Sequence, residues 1–139
     1  MQTLKKIKIS VAMTTFNGEN FLEAQLNSLK NQTWAPLELV VGDDGSTDKT
    51  IEILINFRQH ATFPVRIIHN ETKLGYSQNF LSTARQCTGP WIAFCDQDDV
   101  WLPDKLADAA DAIANTPGCN MVLQNAYICD EELNHNGRV

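Results

Sequence analysis

The sequence has no excess of positive charge. Its 139 residues include 11 Lys and Arg against 17 Asp and Glu, which gives a formal net charge of −6 at pH 7. Proteins that bind a nucleic-acid backbone normally carry a basic patch that neutralises phosphates. We therefore expect no nucleic acid as a partner. An anionic ligand would need a metal ion or backbone amides to hold it.

Long apolar runs are also absent. No stretch approaches the roughly eighteen consecutive apolar residues that indicate a membrane-spanning helix. Ile9–Met13 follows a lysine-rich start, but it is too short for the apolar core of a signal peptide and no small-residue cleavage site follows it. We expect a cytoplasmic protein without a membrane span, at most peripheral to the inner membrane.

The sequence offers no zinc-type spacing. Its four cysteines are Cys87, Cys95, Cys119 and Cys129. Its three histidines are His60, His69 and His135. No C-x-x-C pair occurs and the histidines are scattered, so we interpret the cysteines as reduced residues in or beside the core.

What is present is an alternation of strand and helix patterns in a chain with 43% hydrophobic residues. The predicted strands are Ile7–Met13, Leu37–Gly42, Val65–His69, Trp91–Cys95 and Met121–Cys129. The predicted helices are Glu19–Asn31 (with Asn17 as N-cap), Asp48–Phe57, Tyr76–Cys87 and Pro103–Ile113. No linker interrupts the pattern, so residues 1–139 are interpreted as one domain that ends in a loose polar tail, 130–139.

Strands that alternate with helices predict a mostly parallel, Rossmann-like sheet with helices on both faces, a three-layer α/β fold. In such sheets ligands bind at the carboxyl ends of the strands. The unusual polar segments follow the first four strands: 14–17, 43–46, Asn70 and 96–99. Each alone reads as a turn, cap or solvated loop, but their common placement favours a ligand site.

The acidic segment after the fourth strand is the strongest of these signals. In an extended segment, Asp96 and Asp98 point to the same side and Asp99 points away. Two aligned carboxylates repel each other unless a divalent cation lies between them, and Mg²⁺ is usually held by one or two carboxylates plus substrate phosphates. A solvated acidic turn is the alternative.

Several motifs together resemble the amino-terminal half of a family 2 glycosyltransferase. The matching segments are 10–18, 26–32, 40–48, 70–79 and 95–103. The similarity is closest to bacterial rhamnosyltransferase-like members, in which the pattern D-Q-D-D-x-W-L-P recurs; here it covers residues 96–103. The segments occur in the family's order over nearly the whole chain. They are specific to the family but not to the sugar.

This resemblance implies a type A glycosyltransferase fold, truncated here, that binds a nucleotide-diphosphate sugar with Mn²⁺ or Mg²⁺. It implies transfer of the sugar, with inversion, to the hydroxyl of a glycan or lipid-linked acceptor in the synthesis of cell-surface polysaccharide or glycan. Such a metal would span the two phosphates and stabilise charge on the departing diphosphate.

The resemblance also implies site residues. The nucleotide pocket would be lined by Thr14, Thr15, Phe16 and Asn17, and bordered by Lys73 and Asn79. Asp44 would accept a hydrogen bond from the base. The metal would be held by Asp96 and Asp98, with Asp98 in direct contact and Asp96 also near the nucleotide sugar. Glu19 would either orient a basic neighbour in the pocket or favour a helix N-terminus.

The family's second half, which supplies acceptor contacts and the general base, has no counterpart here. No residue can be assigned as that base, which must lie within hydrogen-bond reach of the acceptor hydroxyl. We interpret the sequence as an excised donor-binding half rather than a naturally short protein that is incomplete as a catalyst. We expect it to bind donor without transferring sugar, and apolar surface left uncovered could drive self-association.

Proteins of other classes also place acidic residues at strand ends or in metal-binding loops. A nucleotidyltransferase would need a G-x-G-x-R loop after the first strand, where 14–18 reads T-T-F-N-G. A signalling receiver would need a Lys after a late strand, and an EF-hand starting at Asp96 would need Gly where Trp101 stands. A nucleotide-sugar-binding domain without turnover stays open.

Overall fold

The computed structural model describes residues 6–138. The elements in chain order are β1 (Ile9–Thr15), α1 (Leu22–Lys30), β2 (Glu38–Asp43), α2 (Thr50–His60), β3 (Val65–His69), α3 (Tyr76–Arg85), β4 (Trp91–Cys95), α4 (Lys105–Asn115), β5 (Tyr127–Cys129) and β6 (His135–Arg138). No helix in this range is long and apolar enough to cross a membrane.

Four strands form the predicted parallel sheet, in the order β3-β2-β1-β4. The central strand β1 is buried along its whole length. The chain moves outward from β1 to β2 to β3 and then returns to place β4 on the other side of β1. This reversal makes the gap above β1 and β4 the topological switch point, where ligands bind in open α/β sheets.

Side chains alternate between the two faces of the sheet and meet different helices. The face that carries Val11, Met13 and Val41 packs in one core cluster with residues of α1, α2 and α4. On the opposite face α3 approaches closely at Gly42, where an added Cβ would lie 2.1 Å from Thr83 Oγ1. Helices therefore cover both faces, as predicted.

At the amino ends of the strands, one buried carboxylate joins several segments. Glu38 accepts hydrogen bonds from Ser10 Oγ at 2.8 Å and from Thr88 N and Oγ1 at 2.6 and 2.7 Å. Arg66 forms an ion pair with it at 3.1 Å and also donates to the Gln86 carbonyl. Burial acts to raise the pKa of Glu38, but these hydrogen bonds outweigh it and hold the pKa below its ordinary value.

The expected strand Met121–Cys129 is wrong for most of its length. Only Tyr127–Cys129 is a strand, and it pairs antiparallel with His135–Arg138 in a separate hairpin. Leu123 is 86% exposed, so the apolar residues in this segment do not enter the core. An apolar run of this length does not by itself distinguish a core strand from an exposed one.

The expectation of a loose tail at 130–139 also differs from the structure, in which residues 130–138 form the turn and second strand of this hairpin. Asp130 organises the turn by accepting hydrogen bonds from the amides of Glu132 and Asn134 and from the Asn134 side chain. Leu133 adopts a left-handed conformation, with φ of 64°. The turn therefore depends on side-chain bonding by Asp130 rather than on glycine.

Three helix starts are displaced from their predicted positions, among them that of α2, which begins at Thr50 rather than Asp48. The first helix begins at Leu22 rather than Glu19, and Asn17 does not cap it. The last helix begins at Lys105, after a turn at Pro103 and Asp104. Helix ends are the least certain part of a pattern-based prediction because capping depends on tertiary partners.

Apolar side chains are exposed beside the outer edge of β4. Phe94 is 56% exposed and forms an edge-to-face contact with Phe80 of α3. Together with Tyr76, Leu81 and Asp96 they line a cavity of about 390 Å³. Within residues 6–138, β4 pairs only with β1. Self-association of the chain is expected through uncovered apolar surface of this kind, and it stays a prediction.

Candidate functional site

The loops that follow β1, β2, β3 and β4 are joined to one another by hydrogen bonds at the carboxyl edge of the sheet. Asp44 after β2 bonds to the loop after β3, and Gln97 after β4 bonds to Phe16 after β1. Asn17 and Ser46 join the loops after β1 and β2. The convergence expected from the topology is therefore present in the structure.

The loops after β1 and β2 form reciprocal bonds. The Asn17 amide donates to Ser46 Oγ at 2.9 Å, and Asn17 Oδ1 accepts from the Thr47 amide at 2.8 Å. Asn17 has a φ of 47°, a left-handed conformation that asparagine tolerates better than most residues. The Asn17 side chain therefore fixes the β2 loop instead of capping α1.

Glu19 also acts on the β2 side of the site. Its Oε2 accepts from the Lys49 amide at 3.0 Å, and its own amide donates to Asp48 Oδ2 at 3.1 Å. Lys49 immediately precedes α2, so the Glu19 carboxylate lies at a helix N-terminus, where negative charge is favourable. Of the two roles considered for Glu19, this geometry favours the helix-terminus one, with α2 as the helix.

Asp43 holds the inner part of the β2 loop. It accepts from Thr15 Oγ1 at 2.8 Å, from Ser46 Oγ at 2.5 Å, and from the amides of Gly45 and Ser46. Thr15 is buried and so is Thr14 beside it. Of the four expected pocket residues at positions 14–17, the first two form the buried end of β1, and Phe16 and Asn17 are the exposed ones.

Asp44 holds the loop after β3. Its Oδ1 accepts from the Leu74 amide at 2.7 Å and from Asn70 Nδ2 at 3.0 Å, and its Oδ2 accepts from the Gly75 amide at 2.8 Å. Burial acts to raise the pKa of Asp44, but these bonds and the charge of Lys73 outweigh it and lower the pKa. A carboxylate has about four acceptor positions, so roughly one remains for a ligand.

Asn79 lies behind Asp44 rather than on an open pocket wall. It is 2% exposed, accepts from Asn70 Nδ2 at 2.9 Å and donates to the Gly42 carbonyl at 2.8 Å. Its contact with Asp44 therefore runs through Asn70. The order Asn79, Asn70, Asp44 links α3, the β3 loop and the β2 loop in one hydrogen-bond chain.

Phe16 and Lys73 face each other across the site. The ammonium nitrogen of Lys73 lies 3.6 Å from the centre of the Phe16 ring, a cation–π contact between the loops after β1 and β3. Phe16 is 41% exposed. An exposed aromatic ring beside a cation offers a stacking face and a positive charge at one place.

The acidic segment does not continue as an extended strand. β4 ends at Cys95 and the chain turns at Gln97 and Asp98. Burial, then the charge of Asp99, then that of Asp98 raise the pKa of Asp96. The extended conformation from which we expected Asp99 to point away from Asp96 and Asp98 is therefore not present at this segment.

The donor set fits a hard divalent cation that is shared with a ligand. Asp96, Asp98 and Asp99 supply oxygen atoms in one loop, where burial and then the charges of Asp99 and Asp98 raise the pKa of Asp96. Among residues 6–138, no three Asp, Glu, His or Cys side chains form a metal cage by themselves. This pattern suits Mg²⁺ or Mn²⁺ held by one or two carboxylates with phosphates completing the shell.

Tyr76 adds a polar contact on the α3 side of the acidic loop. Its hydroxyl donates to Asp96 Oδ2 at 3.4 Å, a long hydrogen bond. Burial, followed by the charge of Asp96, raises the pKa of Tyr76. Tyr76 was not among the expected site residues, and its position at the start of a helix gives no signal of this contact.

Gln97 is the other residue that sequence reasoning missed. In the sequence it stands between Asp96 and Asp98, and the pattern gives it no role of its own. In the structure its side-chain amide binds both backbone polar groups of Phe16, at 2.9 and 3.1 Å. The D-Q-D-D pattern marks the loop, but only the fold brings Phe16 beside it.

Replacing Asp44 with asparagine should lower the free energy of unfolding by about 1–3 kcal/mol at pH 7. The amide has one acceptor oxygen where three donors converge. Its NH₂ group would face either the Gly75 amide or, in the other orientation, the Leu74 amide and Asn70 Nδ2. Denaturant unfolding measures the loss, and hydrogen exchange should become faster at the Leu74 amide or the Gly75 amide, whichever faces the new NH₂ group.

The loss of stability caused by Asp44→Asn should depend on pH, because it comes from the Asp44 carboxylate. Because its pKa is lowered on folding, its stabilisation is fully present above the ordinary Asp pKa of about 3.9 and is lost as the pH falls through the lower folded value. The exposed Asp111→Asn on α4 is the control. Unchanged exchange at Leu74 and Gly75 in Asp44→Asn would contradict the role assigned to Asp44.

Comparison with known proteins gives a consistent family. The profile of Glycosyl transferase family 2 matches residues 10–139. The chain is 32% identical over 112 residues to the dTDP-rhamnosyl transferase RfbG of Shigella flexneri, which covers 77% of this chain and 39% of RfbG. The chain spans 31% to 39% of the length of the first curated relatives that it matches.

Solved structures share the fold. S. aureus TarS 1-349 in complex with UDP is similar with a TM-score of 0.71 and 27% identity, over 88% of this chain and 42% of that one. The mannosyltransferase PcManGT from Pyrobaculum calidifontis, in complex with GDP-Man and Mn²⁺, has a TM-score of 0.69 over 79% of this chain and 33% of its own. Its identity of 23% shows the fold alone.

Proposed function

The chain belongs to glycosyl transferase family 2, and from this membership we propose that it binds the donor of a glycosyltransferase, a nucleotide-diphosphate sugar. The observation that carries the proposal is the convergence of the four loops on the switch point, with an acidic loop on one side and Phe16 with Lys73 on the other. This arrangement offers separate contacts for a base and for a diphosphate.

The base end of the donor is assigned to the loops after β1, β2 and β3. Phe16 offers an exposed ring face, and Asp44 has about one acceptor position left for a base N–H. Lys73 lies within the same group of side chains. The buried or internally bonded residues Thr14, Thr15, Asn17, Glu19 and Asn79 are proposed to shape this pocket.

The diphosphate end is assigned to the loop after β4. Asp98 is the proposed direct ligand of Mn²⁺ or Mg²⁺, with Asp96 as the second carboxylate. When bound, such a metal supplies Lewis-acid stabilisation of the negative charge on the leaving diphosphate. Asp98 is exposed and Asp96 is half-buried at the end of β4, so the two carboxylates can hold the cation at the mouth of the switch point.

Acceptor binding and acceptor deprotonation are not assigned to any described residue. We propose residues 1–139 as one donor-binding domain, acting in transfer of sugar to a glycan or lipid-linked acceptor during polysaccharide or glycan synthesis. Inversion at the sugar carbon is proposed by family resemblance. RfbG, a named rhamnosyl transferase that aligns with 77% of this chain, supports this class of reaction.

Calorimetric titration with UDP, dTDP and GDP, each with Mn²⁺, with Mg²⁺ and with chelator, tests donor binding. We expect at least one nucleotide to bind with metal and to lose most of its affinity in chelator. A folded chain that binds none of the three under any condition would overturn the proposal.

Turnover is tested separately, by supplying the matching nucleotide sugars together with glycan acceptors. Donor binding without transfer would support a donor-binding domain. Robust transfer by the 139-residue chain would instead require a general base among the residues present, with Asp99 and Asp130 the first to replace.

A further inference from the structure

One side chain joins the two loops that border the switch point. Gln97 Oε1 accepts from the Phe16 amide at 2.9 Å, and Gln97 Nε2 donates to the Phe16 carbonyl at 3.1 Å. A primary amide carries one acceptor and one donor group side by side, so it can satisfy both backbone groups of a single residue. The two bonds also fix which end of the amide is oxygen.

The space for this amide depends on the residue at position 18. A Cβ added to Gly18 would lie 2.3 Å from Gln97 Oε1 and 2.6 Å from its carbonyl carbon. The Gly18 backbone is outside the left-handed region, so its conformation does not itself require glycine. What requires glycine is the position of the Gln97 side chain.

We call this pair of hydrogen bonds between the Gln97 side chain and the Phe16 backbone the clamp. The clamp connects the two halves of the proposed site. Gln97 lies between Asp96 and Asp98 in the chain. Phe16, to which it is hydrogen-bonded, carries the ring that faces Lys73. The base end and the diphosphate end of a donor would therefore contact loops whose separation is set by one side chain.

We propose that Gln97 is a positioning residue that holds Phe16 and the carboxylates Asp96 and Asp98 at a fixed spacing, so that both ends of a nucleoside diphosphate are bound together. This inference rests on the proposed function. Without the clamp each loop keeps its own contacts, but a ligand that spans both must order them on binding, which costs affinity. A ligand that touches only one loop bears no such cost.

This reasoning predicts a split between two probes. For Gln97→Ala, affinity for the tightest-binding nucleoside diphosphate with Mn²⁺ should fall about tenfold, by analogy with the loss of a small number of hydrogen bonds. Affinity for the matching nucleoside, measured by NMR titration, should stay within about twofold of wild type. A residue that merely stabilised the fold would weaken both probes alike.

Gly18→Ala breaks the clamp by a second route, since the added methyl group displaces the amide without removing it. Each single variant should lose about tenfold in nucleoside diphosphate affinity, and the double variant should lose no more than either, because the clamp can be broken only once. In both, the Phe16 amide should exchange faster with solvent. Gln59→Ala, exposed on α2, is the matched control.

The outcomes separate the two proposals. If wild type binds no nucleoside diphosphate, the proposed function fails and the role of Gln97 fails with it. If wild type binds but Gln97→Ala binds equally well, or loses nucleoside affinity in proportion, only the positioning role is overturned. Additive losses in the double variant would also overturn it. If Gln97→Ala does not fold, Gly18→Ala still provides the test through the same two probes.

Discussion

Replacing Asp98 with asparagine should weaken metal-dependent binding of a nucleoside diphosphate by about a hundredfold, or roughly 2.7 kcal/mol. Asparagine keeps the shape of the side chain but carries no charge, and a divalent cation held by only two carboxylates depends strongly on each of them. Titration of UDP, dTDP and GDP with and without Mn²⁺ measures the effect. Binding in chelator should be equal in wild type and variant.

The variant should keep its fold. Asp98 is exposed, and its charge adds to burial and to the charge of Asp99 in raising the pKa of Asp96. Removing one of three crowded negative charges relieves repulsion, so the thermal midpoint should not fall. Asp111→Asn, which removes one exposed charge from α4, controls for net charge. Equal metal-dependent affinity in wild type and Asp98→Asn would remove Asp98 from the metal site.

The first four strands and their order along the chain were predictable from sequence, because each strand is indicated by a pattern of neighbouring residues. Each of the first four strands is a short apolar run bounded by turn residues, and the helix between each pair shows apolar residues at helical spacing. Once strands and helices alternate, a parallel sheet and right-handed crossovers follow from general rules. The burial of β1 along its whole length agrees with this reasoning.

The segment after α4 was not predictable in the same way. Met121–Cys129 has the apolar content of a core strand, yet the structure leaves Leu123 exposed and pairs only Tyr127–Cys129, in a hairpin. Whether an apolar segment enters a sheet depends on the edge that is available to it. Composition carries no information about that edge.

For the site, the sequence indicated which loops matter better than it indicated what each side chain does. Asp43, Asp44, Asn17 and Glu19 all lie in the expected loops, but their carboxylate and amide oxygens are largely used to tie one loop to another. These bonds join residues 26 to 31 positions apart. A one-dimensional pattern cannot distinguish a polar residue that binds ligand from one that supports the loop that does.

At the opposite edge of the sheet, Glu38→Ala should cost about 3 kcal/mol of unfolding free energy at pH 7. Glu38 is 6% exposed and gathers β1, β3 and the turn before β4 through Ser10, Arg66 and Thr88. Removing its carboxylate leaves several of these donors without their acceptor. Glu52→Ala, on the exposed side of α2, should change stability by less than about 0.5 kcal/mol.

The pH dependence separates the charge of Glu38 from its packing. Because folding lowers its pKa, the stabilisation is fully present above the ordinary Glu pKa of about 4.3 and is lost as the pH falls through the folded value. Glu38→Gln keeps the volume and one acceptor oxygen, so its deficit at pH 7 should be smaller than that of Glu38→Ala and should shrink towards pH 2. Denaturant unfolding of wild type and both variants across this range measures the effect. A Glu38→Gln deficit that stays constant from pH 7 to pH 2 would show that the carboxylate charge contributes nothing, and that only the shape of the side chain supports this edge of the sheet.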